Sequence, residues 1–242
     1  MNTLVIADIH LQPNQPEHPI NQTFQRFLRE ATMNVQRLII LGDLFEVWLG
    51  DDLSLTQYTT EIALLKSLEQ QGCEILVQYG NRDFLMRTAF FQASGANLIG
   101  DEYILPFAQQ QILMVHGDQL CSADTAYQKM RAWLRNPLIQ WLFLHLSKAM
   151  RNKIGAKMRN QSQHAGRQKN AQMMDVTTEA INDLLDRHPQ AKILIHGHTH
   201  KPHYQRRQIK GKAIHHYVLS DWRPQTQYLK ITDTEIQILK FA

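Results

Sequence analysis

Arg37-Leu38-Ile39-Ile40-Leu41-Gly42-Asp43 is the stretch whose reading decides the fold. Four consecutive leucines and isoleucines without polar alternation read as a strand buried on both faces, and the glycine and aspartate end it abruptly. The same grammar recurs four times. Thr3 to Ala7 leads into Asp8-Ile9-His10, Glu74 to Tyr79 into Gly80-Asn81-Arg82-Asp83, Gln111 to Val115 into His116-Gly117-Asp118, and Ala191 to Ile195 into Gly197-His198-Thr199-His200. Carboxylates, an amide and imidazoles would therefore gather at the carboxyl ends of neighbouring strands, where open α/β sheets put their active sites.

Between these strands, Asn21 to Ala31 and Leu55 to Gln71 have helical patterns, so the first half of the chain alternates as βα units do. Leu105 to Val115 packs two strands around a hairpin tip at Gln109-Gln110, which makes the sheet mixed. Thr177 to Arg187 reads as a helix, and residues 213–219, 226–231 and 235–241 as antiparallel strands that close the domain. The expected architecture is an α/β layered sheet sandwich with flanking helices, formed by residues 1–121 and 175–242, with a helical insertion over 122–174.

At 242 residues and 43% hydrophobic content the chain buries one substantial core. Cys73 and Cys121 stand far apart, which excludes a disulfide framework or a CxxC metal site and suits a reducing compartment. The first strand begins almost at Met1, with no basic leader ahead of an apolar stretch, so a cleaved secretion signal is not expected. Leu138 to Leu146, interrupted by Gln140 and His145, is too short to span a bilayer.

The net charge of +4 conceals a division. Residues 125–174 hold ten Lys or Arg and no acid, whereas the remainder, with sixteen basic and twenty-two acidic residues, carries −6. Such segregation implies an anionic partner. Asn136-Pro137 reads as the N-cap and first position of a second insertion helix, apolar nearly all round through Leu138, Ile139, Trp141, Leu142, Phe143, Leu144 and Leu146 and ending in Lys148, Arg151 and Lys153. Either the other insertion helices cover this helix, or part of it stays open to acyl chains or a bilayer.

The five clusters suit hard divalent cations, which prefer carboxylate oxygen and accept imidazole. Asp43 is the candidate for a carboxylate shared between two ions. Asp8 and His10 reach the same side only if the backbone turns there, and Leu11-Gln12-Pro13 offers a turn. Asn81 supplies an amide oxygen, and His116, His198 and His200 supply nitrogen. Singly, each has a plain alternative: a turn or cap aspartate, a satisfied core histidine. Seven together, in order and each after a strand, point to a two-metal phosphoesterase centre.

The order DxH, GD, GNRD, HGD, GHTH resembles the calcineurin-like metallophosphoesterase superfamily over the whole chain outside the insertion. Gly42 to Asp52, Gly80 to Phe84, His116 to Cys121 and Met174-Asp175-Val176 resemble, within it, the UDP-2,3-diacylglucosamine pyrophosphohydrolase family of lipid A biosynthesis, which shares Arg82 where the superfamily usually has histidine. That resemblance implies two Mn²⁺ ions, one held by Asp8, His10, Asp43 and His200 and the other by Asp43, Asn81, His116 and His198. It implies catalysis involving Asn81 and Arg82, with substrate contacts from Asn81, Arg82, Asp124, Ser162, Lys169 and His198. The reaction it implies is water attack at the α-phosphorus of UDP-2,3-diacylglucosamine, giving UMP and 2,3-diacylglucosamine 1-phosphate. The protein would be a cytoplasmic monomer lying peripherally on the inner membrane. Asp83 would orient Arg82 or His116.

The same metal centre would serve a nuclease, with the basic block on nucleic acid phosphates. Trp133, Trp141 and Phe143, however, sit among Leu and Ile in a helix, not on an exposed stacking platform, which suits acyl chains and argues against nucleic acid as partner. A scaffold that had lost catalysis would have lost ligands, and all seven are present.

Overall fold

The computed structural model describes residues 2–168, 175–223 and 226–241, with the side chains of 160–168 excepted. Strands are β1 (Thr3–Ile6), β2 (Arg37–Leu41), β3 (Glu74–Gln78), β4 (Asn97–Leu98), β5 (Tyr103–Phe107), β6 (Gln110–Met114), β7 (Ala191–His196), β8 (His203–Ile209), β9 (Lys212–Val218), β10 (Thr226–Ile231) and β11 (Ile236–Phe241). Helices are α1 (Pro19–Glu30), α2 (Asp51–Ser54), α3 (Thr59–Gln70), α4 (Thr88–Ser94), α5 (Thr125–Leu134), α6 (Pro137–Leu144), α7 (Lys148–Gln168) and α8 (Thr178–Arg187).

Period-two alternation within the all-apolar strands builds three layers of core from two sheets. In β1 and the residue after it, Leu4 and Ile6 face α1, α3 and α4, joining Phe24, Phe27, Leu65 and Phe90, while Val5 and Ala7 face the second sheet with Ile39, Leu41, Met114 and Ile195. The second sheet's outer face, through Leu113 and Leu194, packs on Ile181 and Leu184 of α8. Each such fully buried aliphatic side chain contributes roughly 1.5–3 kcal/mol. The first sheet runs β11-β10-β1-β2-β3-β4 and the second β5-β6-β7-β9-β8. Neighbours β1 to β4 are parallel, as are β6, β7 and β9, while β10, β11, β5 and β8 pair antiparallel. The turns after β1, β2, β6 and β7 bring Asp8, His10, Asp43, His116, His198 and His200 into two clusters.

Local chemistry sets the helix limits. Pro19 occupies the first turn of α1 behind His18, whose ring accepts from Ile20 N–H. Thr177 caps α8 by accepting from Ala180 N–H. The expected helix over Leu55 to Gln71 is instead α3 from Thr59, preceded by α2 and a short tight turn at Leu55–Gln57.

Among its described residues the insertion contains three helices. Asn136 accepts from Leu138 N–H at 2.9 Å to begin α6, but α6 stops at Leu144, so Lys148, Arg151 and Lys153 belong to α7 and not to the end of the apolar helix. No residue of α6 is buried. Leu138 (63% exposed), Trp141 (55%) and Leu142 (49%) of α6, with Trp133 (60%) of α5, remain open to solvent, while Phe143 packs on the first core layer.

Four of the insertion's basic residues are engaged with the core. Arg131 donates to Asp118 at 2.6 Å, Arg135 to the Gly80 carbonyl at 2.9 Å, Lys148 to the Asp52 carbonyl at 2.8 Å, and Arg151 to the Leu49 carbonyl at 2.6 Å and the Asp52 carboxylate. Part of the charge segregation is thus an internal complementarity between insertion and core.

Candidate metal centre

Five of the seven expected ligands have left-handed backbone: Asp8 (φ 54°), His10 (57°), Asp43 (51°), His198 (66°) and His200 (54°). Asp and His tolerate this region better than most residues, though it still costs on the order of 1–2 kcal/mol per position. The DxH turn is therefore made by Asp8 and His10 themselves. Leu11, expected in the turn, instead bridges in parallel to Phe45.

Two glycines allow the strand ends to converge. A Cβ on Gly42 would lie 2.6 Å from the Gly80 Cα and 2.7 Å from His116 Nδ1, and one on Gly80 would collide with Asp43. The loops after β2 and β3 thus touch backbone to backbone. Asp83 clasps them, its Oδ1 accepting from Gly80 N–H and its Oδ2 from Leu44 N–H, both at 2.8 Å. It orients these turns and not, as expected, the side chain of Arg82 or His116.

Two clusters result. Asp8, His10 and His200 form one and Asp43, His116 and His198 the other, with the potential ligand atoms of each within 4.8 Å of one another. In the first, His10 Nε2 and His200 Nε2 face each other at 3.3 Å, and His200 Nε2 lies 3.7 Å from Asp8 Oδ1. Asp8 Oδ1 is buried and has no hydrogen-bond partner among the described residues, while Oδ2 accepts from His198 N–H at 2.7 Å and ties the clusters together. In the second, Asn81 Oδ1 lies 3.2 Å and Asp43 Oδ1 3.8 Å from His116 Nε2. His116 Nδ1 is 2.8 Å from the Leu41 carbonyl, which can only accept, so in the neutral ring Nδ1 keeps the proton and Nε2 has the inward lone pair. Asp43, the expected bridge, falls in this second group.

The protonation equilibria of the clusters alone are those of a site built for cations. Burial, reinforced by Asp83 and Asp8, pushes Asp43 up to about 7 despite His116. Burial would lower His116, but the carboxylates of Asp43, Asp118 and Asp8 outweigh it and raise the imidazole to about 8. Burial and the neighbouring His116 drive His198 down to about 4. An orphaned carboxylate oxygen, facing imidazole nitrogens and a carboxylate that ionises with difficulty are all relieved by divalent cations, so the residues fit a dimetal centre.

Two acidic side chains that contact the clusters escaped the sequence reading. Glu46 is buried, its Oε1 accepting from Arg82 at 2.9 Å and its Oε2 lying 3.5 Å from His10 Nδ1. Its signal was a lone acid inside the otherwise apolar Leu44 to Leu49 run. Asp221 lies 3.6 Å from His200 Nδ1, in the loop after β9. Arg82 itself is held beside the centre, its N–H donating to Asp43 Oδ1 at 2.9 Å.

Asp124 is the N-cap of α5, accepting from Tyr127 N–H at 3.1 Å. The Ser162 side chain and Lys169 lie outside the described residues.

A family model described as calcineurin-like phosphoesterase matches residues 1–202. A protein of Photorhabdus laumondii named UDP-2,3-diacylglucosamine hydrolase is 40% identical over 241 residues, covering 100% of this chain and 99% of its own. Proteins of that name from Serratia proteamaculans, at 39% over 100% and 99% of the two chains, and Pseudomonas fluorescens, at 38% over 98% and 94%, are similar throughout. With two candidate metal clusters and this full-length likeness, the chain belongs to the calcineurin-like phosphoesterases and, within them, to the UDP-2,3-diacylglucosamine hydrolase family.

Proposed function

We propose that the protein hydrolyses the pyrophosphate bond of UDP-2,3-diacylglucosamine at the α-phosphorus, releasing UMP and 2,3-diacylglucosamine 1-phosphate. The observation that carries this reading is a polar floor of two candidate metal clusters, with an insertion that leaves Leu138, Trp141 and Leu142 open. A substrate with a diphosphate at one end and acyl chains at the other needs both. The relatives' name describes such a substrate.

In this reading Asp8, His10, Asp43 and His200 hold one ion and Asp43, Asn81, His116 and His198 the other, both Mn²⁺. When bound, the cations supply a water of lowered pKa and charge that offsets the phosphates. Leu41 keeps the His116 proton on Nδ1, and Glu46 steadies His10. Arg82 contributes a permanently charged, forked donor set. Glu46 occupies one end of that fork, leaving other N–H groups to pair with phosphate oxygens as charge develops. Asn81, Arg82 and His198 serve the phosphates, and Asp124, Ser162 and Lys169 of the insertion serve the rest of the substrate.

The division into a catalytic core of residues 1–121 and 175–242 and a substrate cap of 122–174 follows from this assignment. Peripheral attachment of a monomer to the cytoplasmic face of the inner membrane is part of the same proposal. Among the described residues no helix is long and apolar enough to cross a membrane, and the open apolar face of α6 suits lying on one.

The deciding assay compares UMP release from diacylated and deacylated UDP-glucosamine by metal-stripped protein resupplied with Mn²⁺, Mg²⁺ or Zn²⁺. The expected result is turnover of the diacylated compound only, greatest with Mn²⁺. Equal rates on both compounds overturn the lipid assignment, and undiminished turnover without added ion overturns the metal assignment.

A further inference from the structure

We infer that His216, through its hydrogen bond to His196, is a positioning residue for the Gly197-His198-Thr199-His200 turn. The inference rests on the reading of His198 and His200 as metal ligands and assigns a role to two histidines outside that set. His216 of β9 pairs with Leu194 of β7, and His196 with Val218, so the two imidazoles are diagonal neighbours on one sheet face. Both are fully buried, with Nε2 atoms 2.8 Å apart.

The proton positions follow from the acceptors. His196 Nδ1 lies 2.8 Å from the Gly197 carbonyl oxygen, which only accepts, so Nδ1 donates and Nε2 carries the lone pair. His216 Nε2–H must then be the donor to His196, which leaves His216 Nδ1 a bare lone pair, and that atom has no partner among the described residues. The chain of bonds runs one way, from His216 to His196 to the Gly197 carbonyl.

That carbonyl is the pivot of the ligand turn. It also accepts from Thr199 N–H at 2.8 Å, between the two left-handed residues His198 and His200. A Cβ on Gly117 would come within 3.0 Å of His196 Nδ1 and 3.1 Å of the Gly197 oxygen, and Gly197 N–H donates to the His116 carbonyl. His196 therefore underlies the junction of the turns bearing His116, His198 and His200. An imidazole fixed in tautomer and orientation by His216 holds a strained turn in the geometry that aims three nitrogens.

The test titrates Mn²⁺ into metal-free full-length protein by isothermal calorimetry, for wild type, His216→Leu and His216→Gln. Leu and Gln are close in volume, but only Gln restores an N–H donor. His216→Leu should keep the wild-type circular dichroism spectrum and bind Mn²⁺ about 10-fold or more weakly, the size expected for loss of a supporting hydrogen bond to a metal shell. His216→Gln should stay within about threefold of wild type. Leu matching wild type, or Gln as weak as Leu, overturns the inference alone. A wild type that takes up no Mn²⁺ overturns the metal-centre reading and the inference with it. Should His216→Leu not fold, Gln decides, with retained affinity supporting the inference and a tenfold loss overturning it.

Discussion

Arg131 of α5 donates from Nε to Oδ2 of Asp118 at 2.6 Å, two residues beyond His116, so the insertion is fastened to a turn that carries a metal-site imidazole. Asp118 is buried, and Tyr127 of the same helix donates to the same oxygen at 3.0 Å. Removing one partner of a buried ion pair strands the other, at a cost of roughly 3–5 kcal/mol. Arg131 is partly exposed and Tyr127 still donates to Asp118, so Arg131→Ala should lose about 1–3 kcal/mol in urea unfolding at neutral pH. A loss below about 0.5 kcal/mol would show that the insertion is held elsewhere.

The same pair sets an acid limit. Burial alone would raise the Asp118 carboxyl, but His116, Arg131 and His198 outweigh it and hold the group down at about 2. An unfolded aspartate titrates near about 3.9. The folded group is the stronger acid, so its contribution is complete above about pH 4 and is lost as pH falls toward 2, roughly 2–3 kcal/mol in all. In metal-free protein the stability gap between wild type and Arg131→Ala should narrow over that interval. A gap that stays constant from pH 5 to about 2 contradicts the assignment.

The central strands and their ligand turns were legible because apolar runs such as Leu38 to Leu41 stop at residues with no business in a core. β8 was not. Its run His203-Tyr204-Gln205-Arg206-Arg207-Gln208-Ile209 lies at a sheet edge with almost no buried face, so no hydrophobic period marks it. The partners of the basic insertion were equally hidden, since Asp52 and Asp118 lie far from Arg151 and just outside the acid-free segment, and composition cannot distinguish an internal acid from an external phosphate. Glu46 and Asp221 were missed because a carboxylate supporting a ligand carries no spacing of its own.

Metal loading should appear as stability. A ligand that binds only the folded state at 100 times its Kd contributes about 2.7 kcal/mol, which for a chain of this size raises Tm by about 5–10 °C. Scanning calorimetry of metal-free protein with and without Mn²⁺ should show that rise, and Asp43→Ala and His116→Ala should each lose most of it. An undiminished shift in either variant places the ion elsewhere.

Glu46 links Arg82 to the first candidate metal cluster, since its two oxygens face Arg82 and His10. Glu46→Gln keeps the shape and removes the charge. It should lower kcat/KM for UMP release by about 10–100-fold, as loss of a supporting carboxylate does, with unfolding stability nearly unchanged. A rate within twofold of wild type would reduce Glu46 to a packing residue.

The open face of α6 gives the last test. Leu138 and Trp141 are more than half exposed, so Leu138→Glu and Trp141→Glu should alter unfolding stability by no more than about 0.5 kcal/mol. If that face meets acyl chains or a bilayer, each change places a carboxylate where hydrocarbon should lie, opposed by anionic headgroups. Sedimentation with phosphatidylethanolamine–phosphatidylglycerol vesicles should fall in both variants, and KM for the diacylated substrate should rise while kcat holds. Unaltered vesicle binding and KM in both would leave α6 as an ordinary exposed helix and remove the structural ground for a lipid-facing cap.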